Sequence, residues 1–305
     1  MNSSLISIII VNWNSSGLLR NCLNSIIETN LDRNYEIIVV DNASTDDSVK
    51  MVKSEFPDVV LIENKENLGF AKANNIGIKA SNGDIILLLN SDAELKTPNT
   101  LKKVNQFLAK HSEIGILGLN LIFPNGVPQS PGGKFISTWQ LFKQQILLLN
   151  SPLAYQVKSK LQPAKNTQFY EIDYVTGACF FVRKEVIRDV GLLNESFFMY
   201  GEDMEFCYRA KQKGWRSAIL PSIEVVHSKG QSTKKNIEQI LSHSINNNCL
   251  LIKRFYGNTS AFLAYLIYIL GTFIRFVLAF LRKNEKPMVY LKLMRNTIKL
   301  RKDSG

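Results

Sequence analysis

The 305-residue chain reads as an α/β protein built on a mostly parallel, Rossmann-like sheet. Three observations lead there. Apolar runs of strand length, ISIIIVN, YEIIVVD and DIILLLN, alternate with stretches whose apolar residues recur at helix spacing. The runs are apolar almost throughout, as in strands covered on both faces. Acidic residues also stand where apolar runs stop: Asp41, Asp92 and the pair Glu202-Asp203. Open α/β sheets bind ligands at the carboxyl ends of their strands.

The elements follow in order. Leu5–Val11 is the first strand. Ser16–Glu28 is a helix, with Leu18, Leu19, Cys22, Leu23, Ile26 and Ile27 at helical spacing. Tyr35–Val40 is the second strand, and Ser44 or Thr45 caps a helix running through Ser54. Val59–Ile62 is a short third strand, Phe70–Ala80 a helix, and Asp84–Leu89 a buried strand. Pro98 opens a helix that reaches Lys110, and Ile114–Phe123 is a further strand. This rhythm implies parallel pairing with right-handed crossovers. Residues 124–168 are rich in Pro, Gly, Ser and Asn around the apolar stretch 135–149, and read as a loop-plus-helix insert. Order returns at Ile172–Val182. Helices near Lys184–Val190 and Asp203–Lys213, a strand at Trp215–Leu220 and a long helix from Thr233 to Tyr256 complete this part.

The formal charge of +11 is uneven. From residue 250 onward eleven Lys and Arg face only Glu285 and Asp303, a net of +9; the first 249 residues carry 26 basic and 24 acidic residues. A basic tail without a basic stripe elsewhere argues against a nucleic-acid partner. Cys22, Cys179, Cys207 and Cys249 match no zinc or CxxC spacing and read as buried thiols of a reducing compartment. The N-terminus has no basic n-region and reads as a strand, not a signal peptide.

Seven strings carry the chemistry: IIIVNWNSSGLLRNCLNSI, IIVVDNASTDDSV, ENLGFAKANNIGI, LLLNSD, TGACFFVRKEV, FFMYGEDMEFCYRA and HSKGQS. In this order, over residues 5–235, they resemble glycosyltransferase family 2, in particular its bacterial rhamnosyltransferase-like branch. The resemblance implies a GT-A fold, a nucleotide-diphosphate sugar donor, Mg²⁺ or Mn²⁺, and inversion at the anomeric carbon. The catalytic domain is then 1–235, with a nucleotide-binding half at about 1–123 and an acceptor half at about 124–235; the apolar and basic sequence of 236–305 makes that part a helical membrane-associating tail.

Each site residue has a functional and a plain reading. Asp41 matches the family's base-binding Asp and is also a turn or N-cap residue ahead of NAST. Asn12 and Asn14 shape the same nucleotide pocket or simply make the turn. In NLGFAKANNIGI, Gly69, Asn74 and Asn75 line the donor at a helix start or serve helix–sheet packing. Asn90-Ser91-Asp92 occupies the family's DxD element with its first Asp replaced by Asn, so Asp92 is the charged metal ligand and Ser91 its neighbour. His227 offers a second metal ligand through a ring nitrogen, and Ser232 a contact to the diphosphate; a lone His is otherwise structural. By resemblance Asp203 is the base that deprotonates the acceptor, with Glu202 beside it, against the plain reading of an acidic helix start. Thr176-Gly177-Ala178 forms the floor near donor and acceptor, or packs. Phe197, Phe198, Tyr200 and Trp215 read as core sooner than as sugar platforms.

Ala261–Leu281 is long enough to span a bilayer. A single span, however, sends eight basic residues across the membrane against the positive-inside tendency. Arg275 near its middle adds roughly 2.5–3.5 kcal/mol. Helices lying in the interface, basic residues toward anionic lipid, fit better. The expected partners are therefore a nucleotide-diphosphate sugar, a polyprenyl-linked saccharide acceptor and an anionic membrane surface. The expected place is the cytoplasmic face of a bacterial plasma membrane. The best-matched donor is dTDP-L-rhamnose, with UDP-galactofuranose or another UDP-hexose as the alternative. A nucleotidyltransferase calls for a Gly-rich, basic loop after the first strand, which VNWNSSGLLR matches poorly. A noncatalytic scaffold of the same fold is opposed by the intact acidic residues.

Overall fold

The structure is a computed structural model and describes residues 4–32, 34–147, 168–228, 237–281, 289–293 and 295. The chain forms two compact units, 1–134 with 161–232 and 135–160 with 233–305.

The first unit opens with β1 (Ile6–Asn12), α1 (Ser16–Thr29), β2 (Tyr35–Asp41), α2 (Ser48–Glu55), β3 (Val60–Glu63), α3 (Gly69–Ala80) and β4 (Ile85–Asn90). β1 pairs in parallel with β2 on one side and β4 on the other, and β2 pairs in parallel with β3. Ile6, Ile8, Ile9 and Ile10 of β1 are fully buried, as a central strand covered on both faces demands. Helix α3 lies close on this sheet because Gly77 has no side chain: a Cβ there would stand 2.4 Å from Ile9 Cγ2. The expected elements of this half are present within a few residues. The helix expected from Ser44 or Thr45 begins at Ser48 instead, because Ser44 makes the turn against Asp41.

Beyond this point the sheet is mixed. β5 (Ala93–Leu95), α4 (Thr100–Lys110), β6 (Ile114–Ile122), β7 (Gly132–Gly133), α5 (Thr138–Gln145), β8 (Tyr170–Ile172), β9 (Tyr174–Val175), β10 (Cys179–Arg183), α6 (Lys184–Val190), α7 (Glu202–Gln212) and β11 (Arg216–His227) follow. The main sheet has the order β3-β2-β1-β4-β10-β6-β11-β5, with β8 also on β11; β7 and β9 pair separately. β10 is antiparallel to both β4 and β6, so its start, not its end, meets the end of β4, with Cys179 opposite Leu89. β11 runs past Pro221, where the strand was expected to stop. Its register against β6 shifts between Leu220 and Glu224, and a bulge is where a strand tolerates proline. The extension carries the strand to His227, paired with Ala93 of β5.

In the second unit α5 starts with a capping box: Ser137 Oγ accepts from Gln140 N–H at 3.2 Å, and Gln140 Oε1 accepts from Ser137 N–H at 3.1 Å. The final helix α8 (Ile237–Leu281) is broken at Gly257, φ 84° and ψ 178°, a region open essentially only to glycine. In one straight helix Asn248 and Tyr268 would lie about 30 Å apart. Instead the Asn248 amide donates to Tyr268 Oη at 2.7 Å, so the chain doubles back. Ile245, Cys249 and Ile252 then pack against Ala264, Tyr265, Tyr268 and Leu141 of α5. The helix expected over Thr233–Tyr256 is thus half of a hairpin whose return limb holds the apolar stretch.

Candidate active site

Parallel pairing brings the ends of β1, β2 and β4 to one edge of the sheet, and the reversed β10 adds its start to the same edge. Asn12, the last residue of β1, is fully buried. Its Nδ2 donates to Asp41 Oδ1 at 3.0 Å and to Ser44 Oγ at 3.1 Å. Asp41 Oδ2 accepts the Ser44 N–H at 2.8 Å. Ser15 Oγ donates to Asn12 Oδ1 at 2.7 Å, so it receives the proton of Ser91 Oγ, 3.1 Å away. A single chain of hydrogen bonds thus joins Ser91 at the end of β4 to Asp41 at the end of β2. Both oxygens of Asp41 keep a lone pair beyond these bonds. Asn14, at φ 50°, joins the same network and ties the two loops together: its N–H donates to Ser44 Oγ at 2.9 Å, and its Oδ1 accepts the Thr45 N–H at 2.7 Å.

The β5–β11 pairing sets Asp92 beside His227, with Asp92 Oδ1 3.2 Å from His227 Nε2. The tautomer of this ring follows from Gln129. Gln129 Nε2 donates to the carbonyls of His227, at 2.5 Å, and Ile122, at 3.2 Å. Its Oε1 therefore faces His227 Nδ1 at 3.0 Å and accepts a proton from it. Nε2 then accepts from Asn90 Nδ2 at 3.2 Å. It stands beside the Asp92 carboxylate oxygen, and a cation between these two acceptors would take the place of the Asn90 donor. Donors around a Mg²⁺-sized ion, each at 2.0–2.1 Å, stand about 3 Å apart at adjacent vertices, so this pair fits a divalent cation. Among the described residues no group of three or more His, Cys, Asp and Glu is placed to hold a metal. Further ligands would have to come from a bound diphosphate and water.

Helix α7 begins at Glu202, so Glu202 and Asp203 sit in its first turn. Asp203 Oδ2 accepts the Gly177 N–H at 3.0 Å and Oδ1 accepts the Met204 N–H at 2.7 Å. One residue further along, the Ala178 carbonyl accepts the Asn90 N–H at 3.1 Å, so the Thr176-Gly177-Ala178 segment joins the Asp203 carboxylate to the Asn90-Ser91-Asp92 loop. Glu202 is 5% exposed and its Oε2 has no hydrogen-bond partner. Burial, and then the charge of Asp203, push Glu202 up to about 8, so it holds its proton at neutral pH. Burial also raises Asp203, while the N–H groups of Gly177 and Met204 pull it back toward the ionised form. Tyr200, at φ 71°, has its phenol raised by burial and then by the charges of Glu202 and Asp92.

Other expected residues are tied elsewhere. Asn75 is spent on the 193–195 loop: its Nδ2 donates to Leu193 O at 2.8 Å and Glu195 Oε1 at 3.0 Å, and its Oδ1 accepts Leu193 N–H at 3.0 Å. Asn74 Nδ2 donates to the Phe70 carbonyl inside α3. Gly69, at φ 78°, lets α3 begin against the Phe198 carbonyl, which a Cβ would approach to 2.5 Å. Phe197 is core, and Trp215 donates to Asp189 at 2.8 Å. Ser232 lies outside the described residues. Phe198 and Tyr200, expected in the core, are instead 48% and 44% exposed. The sequence does not single out Gln129 and Ser15, which are bonded to His227 and Asn12.

The chain is 27% identical over 227 residues to a low-salt glycan biosynthesis hexosyltransferase of Haloferax volcanii, covering 73% of this chain and 67% of that protein. It is 25% identical over 221 residues to the N-acetylglucosaminyl-diphospho-decaprenol L-rhamnosyltransferase of Mycobacterium tuberculosis, covering 67% of this chain and 70% of the relative. The structure matches a mannosyltransferase of Pyrobaculum calidifontis solved with GDP-Man and Mn²⁺, with a TM-score of 0.59 at 15% identity over 98% of this chain and 86% of the other. The fold is GT-A, a mostly parallel sheet clothed in helices. With residues 7–191 matching the profile of glycosyl transferase family 2, this chain belongs to that family.

Proposed function

We propose that the protein is an inverting hexosyltransferase that moves a sugar from a nucleotide-diphosphate donor to a lipid-linked saccharide acceptor at a membrane surface. The observation that carries this reading is the convergence of Asp41, Asp92 with His227, and Asp203 on one sheet edge. Asp41 is buried and pre-oriented by Asn12 and Ser44, so its free lone pairs are available to a base N–H. Asp92 and His227 are the pair that would hold Mg²⁺ or Mn²⁺, which when bound neutralises charge on the diphosphate. Asp203 takes the proton of the acceptor hydroxyl. The acceptor oxygen bonds to the anomeric carbon, the bond from that carbon to the diphosphate breaks, and the nucleoside diphosphate leaves. One displacement inverts the centre, and no covalent sugar–enzyme bond forms. Glu202, protonated, adds no second negative charge next to the developing leaving group.

The L-rhamnosyltransferase relative favours dTDP-L-rhamnose and a polyprenyl-linked acceptor in cell-surface polysaccharide synthesis. The hexosyltransferase relative keeps other sugars in play, UDP-galactofuranose and UDP-hexoses among them. The deciding experiment measures nucleoside diphosphate release from a panel of dTDP-, UDP- and GDP-sugars with Mn²⁺ or Mg²⁺ and membranes bearing lipid-linked acceptor. Wild type is compared with Asp203→Asn. Release from one donor, lost by at least about 100-fold in the variant, is the expected result. Equal release by both proteins removes Asp203 as base. Release from no donor, with acceptor supply verified, leaves a noncatalytic scaffold.

A further inference from the structure

The return limb of α8 carries a surface unlike that of a soluble protein. Every exposed residue from Ala261 to Leu281 is apolar: Phe262, Leu263, Leu266, Leu270, Phe273, Val277, Phe280 and Leu281. Leu263, Leu266, Leu270, Phe273, Val277 and Phe280 recur at intervals of three and four, so they form one stripe along the helix. The charged residue of the limb is turned away from it. Arg275 donates to the carbonyls of Gln144 and Gln145 and to Gln145 Oε1, where the α5 C-terminus leaves its last acceptors. An interface with a second protein chain carries a polar rim around its apolar centre, and a coiled-coil seam is flanked by charges. This stripe has neither along the limb.

Charge points to the occupant. Residues 135–160 and 233–305 together hold sixteen Lys and Arg against three Asp and Glu, a net of +13. The other unit holds twenty-one against twenty-three, a net of −2. The basic excess of the whole chain thus belongs to the unit that bears the stripe. In that unit Trp139, 62% exposed, carries Lys143 over its ring at 5.6 Å, a pairing of aromatic body and cationic tip suited to a headgroup layer.

We infer that the Gly257 hairpin lies in the plane of an anionic bilayer, with the stripe from Leu263 to Phe280 among the acyl chains and the net positive charge of its unit drawing it to the anionic surface. This deepens the membrane-surface placement proposed above and rests on it. The hairpin is monotopic, and Arg275 stays bound to α5 instead of crossing the membrane.

The test is sedimentation of the full chain with vesicles of phosphatidylcholine alone or with one-third phosphatidylglycerol. Wild type is compared with Leu266→Glu/Phe273→Glu, both exposed positions that leave the hairpin core intact. The expected result is binding to the anionic vesicles that falls by at least about 100-fold in the variant, since each apolar side chain contributes roughly tenfold or more. Alkaline carbonate should release the wild type from vesicles. A variant that binds as wild type does, or a wild type that resists carbonate, overturns the in-plane hairpin while leaving membrane association in place. A wild type that binds no vesicle overturns both. A wild-type dimer in solution that the variant makes monomeric, with vesicle binding unchanged, assigns the stripe to a second copy. As a second readout, Leu270→Cys carries an environment-sensitive dye, the four native cysteines being buried. Its emission should shift to the blue on anionic vesicles, and no shift would overturn the proposal.

Discussion

Glu202 and Asp203 are buried neighbours with different proposed tasks, and the N–H groups that bond Asp203 alone set them apart. A carboxyl whose native value is raised gives its full stability contribution below its unfolded value near 4.5, and loses it as pH climbs through about 8. Glu202→Gln cannot ionise. Its thermal stability should therefore match wild type near pH 4.5 and exceed it increasingly up to pH 8, by about 2–4 kcal/mol. Melting curves across that range check the sign. Sugar transfer by the same variant at pH 7 should stay within about threefold of wild type, because the native side chain is already neutral there; a loss beyond about 100-fold would show that its ionised form is needed. Gln129 is the other residue whose role is indirect. Gln129→Leu removes the acceptor that holds the proton on His227 Nδ1 and so frees the ring to present either nitrogen. Loss of such an outer partner costs about 10–100-fold in metal affinity, and the Mn²⁺ concentration for half-maximal transfer should rise by that factor. An unchanged Mn²⁺ dependence would remove Gln129 from the metal pair. The sequence displays Asp92 and His227 through their motifs. Gln129 sits in a loop of Pro, Gly and Ser with no pattern to mark it, and the backbones of β6 and β11 together bring it to the ring.

At the scale of elements, the strand ends carry the site and the helices hold those ends in place. The β1, β2 and β4 runs are legible because both faces of each strand are covered, and unbroken Ile, Val and Leu records that burial. β10 reads as order without direction, since periodicity does not encode whether a strand runs parallel or antiparallel. Pro221 conceals the continuation of β11 because a bulge absorbs it, and with it the placement of His227 beside Asp92. The pair Asn74-Asn75 reads two ways in sequence, as donor lining or as packing, and both side chains are engaged inside the protein. Asn75→Ala should leave two backbone groups of Leu193 without partners in a buried site and lower stability by about 2–4 kcal/mol. Denaturant unfolding measures this. The KM for donor should move by less than about threefold; a KM that rises tenfold with stability unchanged would restore Asn75 to the donor site. Gly257 belongs here too. It directly follows Tyr256, where the sequence ends its helix, and its φ of 84° folds the apolar stretch back as the return limb of a hairpin.

For the whole molecule, the proposed chemistry and the proposed attachment belong to separate units with opposite net charge, −2 against +13. That division has a measurable consequence. Attraction of exposed Lys and Arg to an anionic surface is screened as the Debye length falls from about 10 Å at 0.1 M salt to roughly half that at 0.5 M. The carboxylates of the site lie in the other unit, and Glu202 and Asp41 are buried, where salt screens little. Raising NaCl from 0.1 to 0.5 M at sub-saturating lipid should therefore slow transfer to an acceptor embedded in anionic vesicles by at least about tenfold. Transfer to a water-soluble acceptor analogue should change by less than about twofold. Neutral vesicles bearing the same acceptor separate the two contributions: there the salt dependence should disappear, leaving only the apolar stripe to hold the enzyme at the surface. If soluble and embedded acceptors respond to salt alike, the basic unit is acting on donor or acceptor chemistry and not on attachment, and the assignment of charge to the membrane fails.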